Sequence, residues 1–164
     1  MTIKLLMCDL DNTVRLTKSG STFPENATDW KINPAILVAR KKYPNATVVG
    51  ISNQKGILLG HTTRQDVIAG IVLTMGFFPM AYVLVCPDEG SNAFIVGQGD
   101  FGIYNRDLPA KEPGHYRKPS PGMLLWAMGS EGVVPESCLF IGDYYTDKYA
   151  AEAAGVTYQD ISEF

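Results

Sequence analysis

The chain of 164 residues is poor in the residues that build disulfide or thiolate-metal frameworks. It has three cysteines, Cys8, Cys86 and Cys138, and two histidines. No two of the cysteines are close in sequence, and each lies in or at the end of an apolar stretch. They read as buried thiols of a reducing compartment. No apolar run approaches the ~20 residues that a membrane helix needs, so no membrane partner is expected. Met1-Thr2-Ile3-Lys4 leads straight into an apolar run without the hydrophobic region or cleavage site of a secretory leader, which sets the expectation of a cytoplasmic protein. The net charge of -3 provides no broad positive field to attract nucleic acid or an acidic membrane. The local cluster Arg40-Lys41-Lys42 reads as the solvated face of a helix. A Gly-x-x-x-x-Gly-Lys-Ser/Thr loop is missing, which excludes that type of kinase chemistry from this chain.

What the sequence does contain is a core. Hydrophobic residues make up 46% of it, which excludes a disordered chain, and the length suits one well-buried domain over residues 1–164. Strand-like and helix-like stretches alternate, the pattern of an α/β fold with a parallel sheet flanked by crossover helices. Lys4 to Cys8, Thr47 to Ile51, Ala81 to Cys86 and Cys138 to Ile141 read as strands, with Val156 to Tyr158 as an edge. Pro34 to Tyr43, a segment capped by Thr62 or Thr63 and ending at Gly76, Pro121 to Glu131, and Asp147 to Ala154 read as helices. Two stretches break the alternation. Residues 15–30 are polar and rich in turn formers, and predict a small hairpin flap. Residues 87–115 contain Gly, Pro, Asp and Asn and predict an inserted loop, with Asn92 to Gly97 as a candidate strand; it is too short for a large cap domain.

Four segments carry chemistry. Leu5-Leu6-Met7-Cys8-Asp9-Leu10-Asp11-Asn12-Thr13 is a buried strand ending in two carboxylates one residue apart, at the sheet edge where α/β proteins bind ligands. Two acids placed there repel unless a cation or a phosphate-transfer reaction uses them. Val48-Val49-Gly50-Ile51-Ser52-Asn53 is a second strand ending in a hydroxyl. Tyr116-Arg117-Lys118-Pro119 supplies two cations. Leu139-Phe140-Ile141-Gly142-Asp143 ends a further strand in an acid, with Asp147 four residues on.

In this order the four segments resemble the motifs of the haloacid dehalogenase superfamily of phosphotransferases, over almost the whole chain from Cys8 to Gly155. The resemblance implies a Rossmann-like fold and a phosphomonoesterase that works through an aspartyl-phosphate. By it, Asp9 is the nucleophile, and Asp11 protonates the leaving group and then activates water. Ser52 and Lys118 bind the phosphate, with Asn53 and Arg117 as further substrate contacts. Mg²⁺ is held by Asp9, Asp143 and the backbone carbonyl of Asp11. Asp147 is implied either as an outer partner of the metal or as a helix N-terminal acid. Asn12 stands where many members carry Gly, and Asn tolerates left-handed backbone better than most residues.

Ser52-Asn53-Gln54 with Gly56-Ile57, and Arg117-Lys118-Pro119 with Gly122-Met123, are similar to the subgroup of polynucleotide 3'-phosphatases, histidinol-phosphate phosphatases and heptose-bisphosphate phosphatases. Phe23-Pro24 with Asp29-Trp30 and Pro34 also resembles the polynucleotide enzymes. The implied partner is a nucleic-acid 3' end or a phosphorylated small molecule. For a nucleic-acid end, Trp30, Tyr104 and Tyr116 are candidate mouth aromatics, with core packing favoured for Trp30. Sugar- and histidinol-phosphate members carry a zinc loop of three Cys and one His. Here only Cys86 and His115 fall in the corresponding stretch, so no zinc site is expected. A non-catalytic protein that binds phosphate or nucleic-acid ends is the contrasting reading, and the intact Asp9/Asp11 pair argues against it.

Overall fold

The computed structural model describes residues 2–164. In chain order the elements are β1 (Leu5–Cys8), β2 (Arg15–Thr17), β3 (Trp30–Ile32), α1 (Pro34–Lys42), β4 (Thr47–Asn53), α2 (Arg64–Phe77), β5 (Tyr82–Cys86), β6 (Phe94–Gly99), β7 (Gly102–Asp107), α3 (Gly122–Glu131), β8 (Cys138–Gly142), α4 (Tyr145–Ala154) and β9 (Thr157–Asp160). Seven strands form one sheet in the order β7-β6-β5-β4-β1-β8-β9. The five from β5 to β9 are parallel, and β6 and β7 extend one edge antiparallel.

β1 lies at the centre, fully buried, because each of its faces is covered by helices. Leu5 and Met7 point to one face and pack with Met123, Leu124 and Ala127 of α3 and with Ala150 and Ala151 of α4. Leu6 and Cys8 point to the other and pack with Ile36 and Ala39 of α1 and with Val67 and Ile71 of α2. This two-residue alternation between two apolar layers is why the strand reads as one continuous hydrophobic run. α2 is capped by Thr63, whose hydroxyl accepts the Asp66 N–H at 3.1 Å. It passes through Gly76 to Phe77, beyond the expected stop. Gly76 keeps an ordinary φ, so nothing in its backbone ends the helix. Gly155, with φ of 73°, closes α4 in the left-handed conformation that favours glycine.

The two irregular stretches are hairpins. β2 and β3 pair Arg15 with Ile32 and Thr17 with Trp30. The turn between them is pinned by Asp29, whose carboxylate accepts Ser19 Oγ at 2.6 Å, the Ser19 N–H at 2.8 Å and the Glu25 N–H at 2.9 Å. Within 87–115, β6 and β7 form a second hairpin, more ordered than the loop expected there. All six residues of β7 are exposed, so it carries no apolar period by which it could be read. No described helix is long and apolar enough to cross a membrane.

Candidate active site

The carboxyl ends of β1, β4 and β8 lie side by side, because Cys8 is in register with both Gly50 and Ile141. Asp9, Ser52 and Asp143 therefore leave the sheet at the same edge. Asp9 is buried; its Oδ1 accepts Lys118 Nζ at 2.7 Å and its Oδ2 accepts the Thr13 hydroxyl at 3.3 Å. Thr13 Oγ1 also lies 3.1 Å from Asp143 Oδ1. Lys118 is only 3% exposed, and its ammonium uses its other donors on Asp147 Oδ1 at 2.7 Å and the Ile51 carbonyl at 3.0 Å. Asp147 Oδ2 accepts the N–H groups of Asp143 and Tyr144 at 3.2 and 3.3 Å, at the entry to α4. Asp147 is thus the acid that receives the helix N-terminus, one of the two roles open to it, and it is a partner of Lys118 besides.

The electrostatics are unbalanced. Burial pushes the Asp9 carboxyl well above its ordinary range, Lys118 countering this only in part, and burial likewise raises Asp143. Burial alone would lower the Lys118 ammonium, but Asp9 and Asp147 outweigh it and hold the lysine above its usual value. Oxygens of Asp9, Asp143 and Asp147 lie within 4.8 Å of one another, and the one ammonium beside them pairs with Asp9 and Asp147 only. This all-oxygen, negative set lacks positive charge and fits a hard divalent cation such as Mg²⁺. Asp9 and Asp143 would hold it; Asp147 is already committed to Lys118.

Asp11 follows on the outside of the same turn. The turn forms because Asn12 adopts φ of 65° and donates its N–H to the Arg15 carbonyl at 2.8 Å, while Thr13, Val14 and Arg15 donate theirs to Leu10 O. The expectation for Asn12 thus holds in the backbone. Asp11 is half-buried; its Oδ1 accepts Arg15 Nε at 2.8 Å and its Oδ2 accepts Gln54 Nε2 at 3.0 Å. Gln54 also donates to Ser52 Oγ at 2.9 Å, which links the second acid to the hydroxyl at the end of β4.

A cavity of about 760 Å³ opens from Asp11. Its walls are the flap residues Phe23 to Ala27 with Trp30, the turn after β4 from Asn53 to Gly56, His61, and Arg117. Arg117 Nη1 is buried without a hydrogen-bond partner in the protein. Asn53 borders the cavity and also holds the backbone at residue 118. Its amide donates to the Lys118 carbonyl at 3.0 Å and accepts the Lys118 N–H at 3.1 Å, so it fixes the lysine backbone. Trp30 is buried, as favoured, yet still borders the cavity. Tyr116 is buried and donates to Pro109 O at 2.6 Å, and Tyr104 packs over Gly97 on the distant hairpin; neither lines the mouth. His115 pairs with Glu112, while Cys86 is buried beside Asp88.

Sequence reading missed three residues at the site. Thr13 was legible as a hydroxyl four positions after Asp9 on the same turn. Gln54 stood beside Ser52 in the quoted motif. Arg15 reads from the sequence only as a cation near the mouth, beside Lys18 and Arg117; its contact with Asp11 has no sequence signal of its own.

A family model described as polynucleotide kinase 3 phosphatase matches residues 4–162. The D,D-heptose 1,7-bisphosphate phosphatase of B. bronchiseptica, solved with magnesium and phosphate, is similar with a TM-score of 0.70 at 21% identity, over 95% of this chain and 79% of that one. A haloacid dehalogenase superfamily hydrolase of Geobacter sulfurreducens is similar with a TM-score of 0.56 at 14% identity, over 95% and 85% of the two chains. At such identities the likeness is one of fold. A phosphoglycolate phosphatase of Pseudomonas putida is 50% identical over 40 residues, 24% of this chain. The aligned stretches span only 15% to 25% of the curated relatives.

Proposed function

Because the chain belongs to the polynucleotide kinase 3 phosphatase family of haloacid dehalogenase-like proteins, we propose that it is a Mg²⁺-dependent phosphomonoesterase acting through an aspartyl-phosphate on Asp9. The observation that carries this reading is the Asp9 carboxylate at the end of β1, 2.7 Å from the buried ammonium of Lys118, with Asp11 two residues on and open to a cavity. An Asp9 oxygen attacks phosphorus as the bond to the leaving oxygen breaks, and that oxygen takes the electron pair and a proton from Asp11. Water then attacks the phosphorus of the acyl phosphate and gives its proton to Asp11, which frees Asp9 and inorganic phosphate. Ser52 and Lys118 bind the transferred group, and Thr13 holds Asp9 and Asp143 in mutual register. Mg²⁺, held by Asp9, Asp143 and the Asp11 carbonyl, would neutralise charge on the phosphate and on the acids.

The chain acts as one catalytic unit in which the flap, rather than a separate cap domain, covers the leaving group. The family match favours a polynucleotide 3'-phosphate as substrate, with Arg117 and the flap beside the terminal sugar. The cavity volume and the net charge of -3 favour a second reading, a phosphorylated small molecule, since cavities of this size enclose metabolites. The test is Mg²⁺-dependent phosphate release from a 3'-phosphorylated oligonucleotide, histidinol phosphate, a heptose bisphosphate and an aryl phosphate, beside Asp9→Asn. Preferred turnover of the oligonucleotide supports end processing, and the reverse order supports metabolite chemistry. Equal release by wild type and Asp9→Asn would overturn the mechanism, and silence on all four would revive a binding role.

A further inference from the structure

Arg15 leads the largest fully buried side chains of the protein, and the reaction as written leaves it without a role. A buried guanidinium is costly without partners, and here Nε and Nη1 are hydrogen-bonded and the group also stacks on an aromatic ring. Nε donates to Asp11 Oδ1 at 2.8 Å. Nη1 donates to Thr74 Oγ1 of α2 at 3.0 Å, and that hydroxyl in turn donates to Gly70 O at 2.8 Å. The guanidinium carbon stands 3.7 Å from the ring centroid of Trp30 on β3. Trp30 itself is seated against α2 where residue 70 is a glycine; a Cβ there would lie 2.8 Å from the indole Nε1.

We propose that Arg15 is a positioning residue for Asp11: it holds Oδ1, so that Oδ2, which accepts Gln54 Nε2 on the Ser52 side, is the oxygen that delivers the proton. The proposal rests on the reading of Asp11 as the acid. A carboxyl group is free to rotate and can present either oxygen. With Oδ1 tied to a side chain fixed by Thr74 and Trp30, the carboxyl has one orientation, and Oδ2 faces Gln54 and Ser52. In the first step the bond from phosphorus to the leaving oxygen breaks, its electron pair stays on that oxygen, and the proton on Oδ2 moves there. Because β2 and β3 supply Arg15 and Trp30, the same contact links the flap to the acid.

The test uses the dependence on the leaving group. An alkoxide needs its proton in the transition state, whereas 4-nitrophenolate departs without one. First-turnover release of the alcohol or phenol, with Mg²⁺ present, is compared for an alkyl phosphate and 4-nitrophenyl phosphate in Arg15→Met, Thr74→Val and Asp11→Asn. The expected result for Arg15→Met is a loss of about a hundredfold on the alkyl substrate, the scale of general acid catalysis. On the aryl substrate the change stays within about threefold, and KM for both within about twofold. Thr74→Val, which leaves Asp11 untouched and carries the test if Arg15→Met does not fold, gives the same selectivity with a smaller loss. Equal losses on both substrates would assign Arg15 a merely structural role and overturn the proposal. Selective loss in Asp11→Asn without it in the other two would overturn the proposal alone; no selectivity in Asp11→Asn would overturn the acid reading and the proposal with it.

Discussion

Replacing Lys118 by methionine isolates the electrostatic core of the site. The ammonium makes two 2.7 Å contacts, to Asp9 and Asp147, and a third to the Ile51 carbonyl. Methionine fills most of the volume and removes the charge, leaving two buried carboxylates facing each other. Breaking a buried pair in this way costs about 3–5 kcal/mol, which for a domain of this size lowers Tm by on the order of 10 °C. The cost depends on pH with a definite sign. Burial already raises Asp9 above its ordinary value, and without Lys118 it rises further. A carboxyl raised in the folded state contributes stability that is complete below its unfolded value, ~3.9, and is lost as pH rises through the folded value. The deficit of Lys118→Met relative to wild type is therefore smaller at pH 5 than at pH 8. Urea unfolding at the two pH values, with and without millimolar Mg²⁺, measures this. Magnesium should recover part of the loss at pH 8, because a cation bound by Asp9 and Asp143 stabilises the folded state. An unchanged midpoint at pH 8, or a deficit equal at both pH values, would refute the ion-pair reasoning.

Gly142→Ala places a Cβ 2.5 Å from Asp147 Cβ and Oδ2, so it displaces Asp147 from Lys118; phosphatase kcat should fall at least about tenfold with the fold retained by circular dichroism. Asp29→Asn exchanges an acceptor oxygen for a donor amide in the flap turn. Its effect should be a rise in KM with kcat nearly unchanged, checked by steady-state kinetics. In the wild type, the Ser19 hydroxyl and the Glu25 N–H hold the Asp29 carboxyl below its usual value. The stability it contributes is present above the unfolded value and is lost as pH falls through the folded one, so the protection of the Ser19 and Glu25 amides, measured against their unstructured exchange rates at the same pH, should fall below about pH 4. Burial pushes the Cys86 thiol up to about 11. Iodoacetamide at pH 8 should leave it unmodified in the folded protein and label it rapidly in urea.

What the sequence disclosed follows from which contacts are local. β1, β4 and β8 were legible because strands buried on both faces are unbroken apolar runs, and each ends in an acid or a hydroxyl at the ligand-binding edge. β7 was not, because Gly102–Asp107 is held by its ladder to β6 with every side chain exposed. Lys118 stands 109 residues from Asp9, and no spacing rule joins them; the order of the motifs did. Arg15 shows the opposite failure. It sits between Val14 and Leu16 in the short strand β2, but its burial is decided by Trp30 and Thr74, which the sequence leaves 15 and 59 positions away. The hold of Asn53 on the lysine backbone is likewise invisible in the sequence, because it exists only once β4 and residue 118 meet.

The clustered acids, the Ser52 hydroxyl and the lysine come from the end of β4 and the short segments at 9–13, 118 and 143–147, whereas the cavity wall comes from the hairpin around Phe23 to Trp30 and the segment after Asn53. The two parts of the chain are therefore free to drift at different rates. Insertions between Ser19 and Asp29 can resize the entrance and admit a new alcohol while every acid keeps its place. If the proposed chemistry holds, a lineage built on this arrangement can change its substrate without altering the acids.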